Sequence, residues 1–414
     1  MAGATRTTMD KALKDLYLPT LVSTINTSTV LLSRIEQRTD MTSVSGRDAI
    51  FPVNIRGTQA IGARADGGAL PAIQNQTYVD STVTYKYLYG QVGFTHPTIA
   101  STRDTRGAWV KVASAEMDGL RRDIQMDVNR QLFGYGCSVL GIAGTGATST
   151  TLPLTAGHYV KVGMVIDSWD SLTAGTKAID SNTVTAVTAT TATITSATFG
   201  TGNFIVREDS MVGTVSVYAY YEMMGLQGIV DDFSKTAGIG AFCQTLQGID
   251  RNVYTEWNSN IMEHSTPGTA RAISAPLLDE AVLLPQEESG KKPSIGITSP
   301  LQWRRIGDLL VGDRRYTDTM DLEGGFTAIQ WAGVPITWDS DCHMDVNGND
   351  MLYLLHEDDL HRYQLADWSW DDEDGNVLHR NEGFATYNAT LYYYGNFGTT
   401  DPNGHCVVRD LSRS

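Results

Sequence analysis

Of all the short runs in this chain, His356-Glu357-Asp358-Asp359-Leu360-His361 comes nearest to a metal-binding motif. In a zinc protease, two histidines four residues apart share one helix face, and the glutamate between them acts as general base. Here the second histidine is five residues on, about 140° round a helix from the first, so one ion cannot take both from one face. Asp345-Val346-Asn347-Gly348-Asn349-Asp350 opens like a calcium loop. It lacks the glycine at position 6, and position 12 falls on His356 where a bidentate glutamate is required, so a solvated turn is expected. Asp371-Asp372-Glu373-Asp374-Gly375-Asn376 is dense in carboxylates. Neighbours on a turn do not converge on one substrate, and the run reads as an exposed acidic loop. Gly144-Thr145-Gly146-Ala147-Thr148-Ser149 is part of a phosphate loop with no lysine after it, and reads as a linker. Cys342 and His343 are adjacent, a spacing at which side chains diverge, and no Gly-x-Ser-x-Gly elbow is present. Cys137, Cys243, Cys342 and Cys406 share no paired spacing, so reduced, mostly buried thiols are expected rather than a metal ribbon or a disulfide framework. No residue set supports catalysis, and no metal or other cofactor is expected.

Composition points away from nucleic-acid readers and membrane proteins. The chain has 414 residues, 41% hydrophobic and 19% charged, with 40 glycines, which suits a turn-rich and strand-rich protein of two or three domains. Its net charge of −16 is uneven: residues 1–130 carry 15 Lys and Arg against 12 Asp and Glu, and the rest carry 16 against 35. A DNA reader needs a basic footprint, and neither an arginine cluster nor a binding motif occurs. The asymmetry fits solubility, or a mildly basic first third meeting acidic surfaces of neighbouring copies. No run is long and apolar enough to span a bilayer, and the N-terminal residues lack the apolar core of a secretory signal, so a soluble, cytoplasmically made chain is expected.

The elements that could position anything are more telling. Trp109, Ala113, Met117, Leu120, Ile124, Val128 and Leu132 recur at spacings of three and four, which predicts one helix over Arg106–Leu132 with a single apolar face. Such a helix would be about 40 Å long, and Gly134-Tyr135-Gly136 would stop it. Before it, residues 49–55 and 77–89 read as strands flanking a glycine-rich segment, Gly62 to Pro71, and so as a long projecting hairpin. An isolated ribbon is marginally stable, so it needs support from a neighbour. After the helix, 16 threonines fall between residues 145 and 201 among short alternating strands, which predicts a small β-barrel inserted into the body. Residues 8–37 read as an arm with two short helices broken at Pro19. Residues 275–284 read as a helix, 294–298 as a buried strand, and 299–306 as a helix capped by Ser299 with Pro300 in its first turn. Residues 333–338, 350–355 and 384–394 read as further strands, giving an α+β fold.

Taken in order, these parts resemble the major capsid proteins of tailed bacteriophages with the HK97-type fold. Local phrases such as Trp331-Ala332-Gly333-Val334-Pro335-Ile336 and Met351-Leu352-Tyr353-Leu354-Leu355 are similar to the family's closing pattern. The resemblance implies an N-terminal arm (1–45), an extended E-loop (46–97), a peripheral domain with the spine helix (98–139), and an inserted β-barrel (140–210). It further implies a mainly axial domain (211–340) and a return to the peripheral domain (341–414). It implies self-assembly into hexamers and pentamers of an icosahedral head, built in the host cytoplasm and enclosing double-stranded DNA without sequence-specific binding. Scaffold, portal and decoration proteins are the implied partners. Assembly would act through the E-loop tip, Arg64, Asp66, Gly67 and Gly68, and the spine helix would hold the peripheral sheet through its apolar face. Some relatives lock the shell with a lysine–asparagine bond from the E-loop. Here Lys86 is the only lysine between residues 46 and 100 and lies away from the tip, so that chemistry is not carried over and salt bridges from the tip are expected instead.

Two rival readings have distinct marks. An encapsulin-like nanocompartment shell would share the fold and hold cargo enzymes, whereas the inserted β-domain favours a phage. A threonine-rich tail or carbohydrate-binding protein would not need the long helix.

Overall fold

A computed structural model describes residues 30–38, 48–97, 106–148, 150–154, 158–172, 176–195, 199–214, 217–232, 244–266, 268–311, 319–322, 326–342, 348–372, 375–380 and 383–413. Most of the expected N-terminal arm lies outside these residues. Its described end is one helical turn, α1 (Val30–Arg34), with Val30, Leu31 and Leu32 buried, followed by β1 (Glu36–Arg38).

Strands β2 (Asp48–Arg56) and β3 (Thr77–Thr84) form the expected antiparallel ribbon. The run 77–89, read as one strand, is two: the ladder of β3 ends at Thr84, and beyond Tyr85 the chain continues as β4 (Lys86–Thr95) in another sheet. Alternation carries straight through Tyr85, so the change of partner leaves no mark in the local pattern. The long helix, α2, spans Arg106–Leu132 as predicted. Its last turn tightens through Phe133 N–H to Arg130 O (3.1 Å) and Gly134 N–H to Gln131 O (3.0 Å).

Six strands follow: β5 (Val139–Ile142), β6 (Thr151–Pro153), β7 (Val165–Trp169), β8 (Lys177–Val187), β9 (Thr191–Ile194) and β10 (Phe204–Arg207). Their order is β5-β10-β7-β8-β9-β6, and an Ala143–Leu154 bridge joins the two ends, so the order returns on itself. Leu152, Ile166, Val184, Ala192, Ile194 and Ile205 fill the inside, separate from the main core. Threonines at alternate positions face out, which explains the composition of this stretch.

The body resumes with a hairpin, β11 (Met211–Thr214) and β12 (Val217–Tyr220), a helical turn α3 (Leu226–Ile229), and a second hairpin, β13 (Thr245–Leu246) and β14 (Ile249–Asp250). Then come β15 (Asn260–Met262), α4 (Ala275–Ser289), β16 (Ile295–Thr298) and α5 (Pro300–Val311). Helix α5 has the expected cap, Ser299 Oγ accepting from Gln302 N–H at 3.3 Å. Helix α4 runs past the expected stop with Pro285 inside it, and ends at Gly290 in the left-handed conformation (φ 73°). Burial of Leu278, Ala281, Val282 and Pro285 outweighs the proline's poor helix propensity. The remaining strands are β17 (Thr319–Leu322), β18 (Phe326–Trp331), β19 (Val334–Trp338), β20 (Asp350–Leu355), β21 (Leu360–Trp370), β22 (His379–Arg380), β23 (Thr386–Thr399) and β24 (Cys406–Leu411).

Two larger sheets organise these parts. One has the order β15-β24-β20-β16-β19-β18-β17; the other runs β1-β21-β23-β22, with β4 also paired to β23. The chain crosses directly between them from β20 to β21 and from β23 to β24. One hydrophobic cluster, including Leu31, Phe94, Met117, Ile124, Leu132, Tyr353, Leu391 and Phe397, joins α1, α2 and both sheets. The architecture is mixed α+β.

Candidate assembly surfaces

The ribbon is fixed along its paired strands and bare at its tip. Where the ladder ends, opposite Thr77, Arg56 bonds Glu256 through Nη2 to Oε2 (3.0 Å) and donates to the Val253 carbonyl (3.1 Å), with its guanidinium 5.6 Å from the centre of the Tyr254 ring. Thr82 N–H donates to the Gln247 carbonyl at 2.7 Å. The tip closes in a turn where Gly68 N–H reaches Ala65 O (2.9 Å) and Gly67 has φ 74°, the left-handed third position that favours glycine. Asp66 sits beside Gly67 in that turn. Arg64 braces it, Nε donating to Ala69 O (3.0 Å) and Nη1 to Ala63 O (3.1 Å). Around these polar residues, Ile61, Leu70 and Ile73 are 84%, 87% and 97% exposed. Lys86 is far from this tip: it lies half-buried at the start of β4 and donates to the Tyr220 carbonyl, and burial lowers its pKa.

On α2, the predicted stripe enters the core: Met117, Ile124, Val128 and Leu132 are buried, and Leu120 packs against them. The side chains of Trp109 and Ala113 lie outside the described residues. The last two turns depart from a simple amphipathic helix, because Gln125, Asn129, Arg130 and Gln131 are buried as well. Asn129 Nδ2 donates to Asp339 Oδ1 (3.0 Å) and Asp341 Oδ2 (2.8 Å). Arg130 grips Glu222 with both terminal nitrogens (2.5 and 3.2 Å) and Asp127 through Nε (3.1 Å). Gln131 holds Asp127 Oδ2 (2.8 Å) and accepts from Met223 N–H (3.1 Å). Arg207 of the threonine-rich sheet reaches the same Asp127 at 3.0 Å, and Tyr159 donates to the Asp341 carbonyl at 3.0 Å. Burial opposes the Arg130 charge, but Glu222 and Asp127 outweigh it and raise its pKa. Burial likewise works against Asp127, whose pKa is nevertheless lowered by Arg130 and Arg207. This hub ties the end of α2 to the threonine-rich sheet and to the loop after β19.

The zinc-like run sits in the crossover between the two large sheets. Glu357–Asp359 is a 3-10 turn and His361 lies in strand β21, so the helical spacing considered from sequence does not apply. His356 Nδ1 lies 2.9 Å from Asp359 Oδ2. Lys291, just past α4, bridges Asp359 (2.8 Å) and Asp401 (2.8 Å), one from each crossing. Buried His405 accepts from His356 N–H at Nδ1 (3.2 Å) and has Nε2 3.1 Å from the Thr399 hydroxyl, which defines Nε2 as the protonated nitrogen. Burial drives its pKa down to about 4. Arg34 of α1 grips Glu357, adding the N-terminal turn to the clamp.

Cys137, Cys342 and Cys406 are free and buried, and burial raises each thiol's pKa. Cys243 and His343 lie outside the described residues, as do Asp345, Val346 and Asn347 of the calcium-like run and Glu373 and Asp374 of the acidic loop. Among the described residues, no group of His, Cys, Asp and Glu is placed to hold a metal ion, and no helix is long and apolar enough to cross a membrane. Sequence reasoning missed Glu222, Glu256, Lys291 and His405, which pair with Arg130, Arg56, Asp359 and the His356 amide far along the chain.

No protein-family model matches the chain, and no curated protein matches it. Among solved structures, it is similar to a chain of the cyanophage A-1(L) capsid asymmetric unit, at 14% identity over 94% of this chain and 93% of that one, with a TM-score of 0.56. A weaker likeness, to the capsid of cyanophage P-SCSP1u, has 9% identity, covers 94% and 89%, and has a TM-score of 0.43. The encapsulin complex of Synechococcus elongatus PCC 7942 matches 37% of this chain and 53% of its own at 16% identity, with a TM-score of 0.30. The last two TM-scores are too low to carry an argument. The first spans both chains almost end to end, and the fold of this protein is the mixed α+β fold of a phage capsid chain.

Proposed function

We propose that this chain is the major capsid subunit of a phage with an HK97-type head. In that reading the β2–β3 ribbon with residues 57–76 is the E-loop, and α2 is the spine helix. The five-stranded sheet forms the peripheral domain, the seven-stranded sheet the axial domain, and β5–β10 an inserted barrel. Copies would assemble as hexamers and pentamers into a closed shell around double-stranded DNA, with scaffold, portal and decoration proteins as partners, in the host cytoplasm. The role is structural, without catalysis.

The observation that carries this reading is the contrast within the ribbon. Its paired strands are held by Arg56, Glu256 and Thr82, while Ile61, Leu70 and Ile73 stand in solvent on a tip held only by bonds within itself. Exposed apolar side chains on a projecting arm are a binding surface left open for another molecule. A chain that places complementary surfaces on different faces forms heterologous contacts, which give rings where the rotation between copies closes. The net charge of −16 also suits a container wall with little affinity for the DNA inside.

Electron microscopy of the purified full-length protein tests the reading. Closed shells or capsomer rings are expected. A monodisperse monomer at all concentrations would refute it, and particles filled with a co-purifying enzyme would move the assignment to a nanocompartment.

A further inference from the structure

Among the described residues, strand β4 is paired on one side only. The ladder to β23 runs without a register break from Thr386 opposite Thr95 to Gly395 opposite Lys86, and His96 N–H bonds Ala385 O at 2.7 Å. Hydrogen-bonded positions alternate in an antiparallel ladder, so Phe94, Val92, Gly90 and Leu88 point their backbone groups at β23. Those of Tyr87, Tyr89, Gln91 and Gly93 point the other way. Among the described residues no strand pairs with that edge.

Natural edges of this length are usually blunted by lysine, proline or a bulge. Between Tyr87 and Gly93 this one has none: Lys86 at its start is drawn to the Tyr220 carbonyl, the residues from Tyr87 to Gly93 are uncharged, and β4 contains no proline. Its exposed face is already ordered. Tyr87 and Tyr89 pack against Tyr394 with ring centres 5.0 and 5.8 Å apart, and the Tyr89 and Tyr394 hydroxyls are 3.2 Å apart. A pre-packed aromatic surface has less rotamer freedom to lose on association.

We propose that the β4 edges of two copies of this chain pair antiparallel about a two-fold axis centred on Gln91, joining two five-stranded sheets into one. An edge is self-complementary in this arrangement, with matched length and direction. Gln91 faces its own counterpart, and Tyr89 of each copy lies across from Gly93 of the other. A glycine opposite an aromatic leaves the space that the ring covers. No like charges meet. The contact goes beyond the shell reading, which does not assign this edge.

A Gln91→Cys variant of the full-length chain tests the register. Opposed residues of a hydrogen-bonded antiparallel pair have Cα atoms about 5.5 Å apart, within disulfide range. Mild oxidation is expected to give disulfide-linked dimers of Gln91→Cys, and none from the unsubstituted chain or from Thr390→Cys, which lies opposite Gln91 on β23. Gln91→Pro removes an outward N–H and no donor to the β23 ladder, and should weaken self-association about tenfold or more. Folded Gln91→Cys that does not cross-link, equal cross-linking through Thr390→Cys, or unweakened Gln91→Pro would each overturn the proposal. Shells that form with Gln91→Cys uncross-linked would remove this contact and leave the shell reading standing; cross-linked dimers without shells would do the reverse.

Discussion

Arg64 and Arg130 are the same residue type in opposite settings. Arg130 is buried at the end of α2 and spends its donors on two carboxylates, Glu222 and Asp127. Arg64 stands in solvent and donates to two carbonyls of its own turn. The hub around Arg130 fixes where α2, the threonine-rich sheet and the β19–β20 loop sit relative to one another, and its charged groups are paired within one chain. The tip leaves its apolar residues without partners, and its position matters only once a second molecule is present. Stability should therefore concentrate in the hub and association in the tip.

The sharpest way to break that contrast is Arg130→Met. It leaves Glu222 and Asp127 in the protein interior without their shared cation, and a buried pair broken on one side costs about 3–5 kcal/mol. Urea unfolding should show the loss as a lower midpoint. A change below about 1 kcal/mol would mean that the hub is more hydrated than its geometry implies. Next in size is Ile124→Ala, which opens a cavity where α2 packs beneath β4, at about 2–5 kcal/mol; the same unfolding curve reads it.

Much of this layout is legible in the sequence. The three-and-four spacing from Met117 to Leu132 marks the buried stripe of α2, because helix periodicity is a local property. Ser299-Pro300 marks the start of α5 for the same reason. What the sequence hides is long-range. Nothing near Asn129 or Arg130 announces Asp339, Asp341 or Glu222, so four buried polar positions read as an outer face. Nothing at Tyr85 signals that β3 and β4 belong to different sheets. His405 lies 49 residues from the His356 amide it accepts from. The tip is the converse case: its glycines and lone Arg64 are readable as a projecting loop because no distant partner alters them.

The crossover clamp gives a pH-dependent prediction of intermediate size. Folded His405 stays neutral down to about pH 4, whereas its ordinary value is 6.5. Between those values the unfolded chain holds a proton that the folded chain excludes. Stability is therefore unaffected by this group above about pH 6.5, falls as pH drops toward 4 by at most about 1.4 kcal/mol per unit, and levels off below that. His405→Asn keeps an acceptor for the His356 N–H and cannot take the proton. Unfolding midpoints across this range should slope less for His405→Asn than for the unsubstituted chain; parallel slopes would remove His405 from the account.

The smallest expected effect on the single chain is at the tip. Replacing Ile61, Leu70 and Ile73 together by serine removes no intramolecular packing, so stability should stay within about 0.5 kcal/mol. Arg64→Asp should behave similarly in isolation while weakening assembled particles, as seen by the salt concentration at which they dissociate. Unchanged particle stability would count against a role for Arg64 between copies.

Sedimentation velocity of the unsubstituted chain and the triple serine variant, run beside their unfolding curves, tests the central claim most directly. The account predicts large closed particles from the first, small species from the second, and coincident unfolding midpoints. Large particles from both, or small species from both, would contradict it.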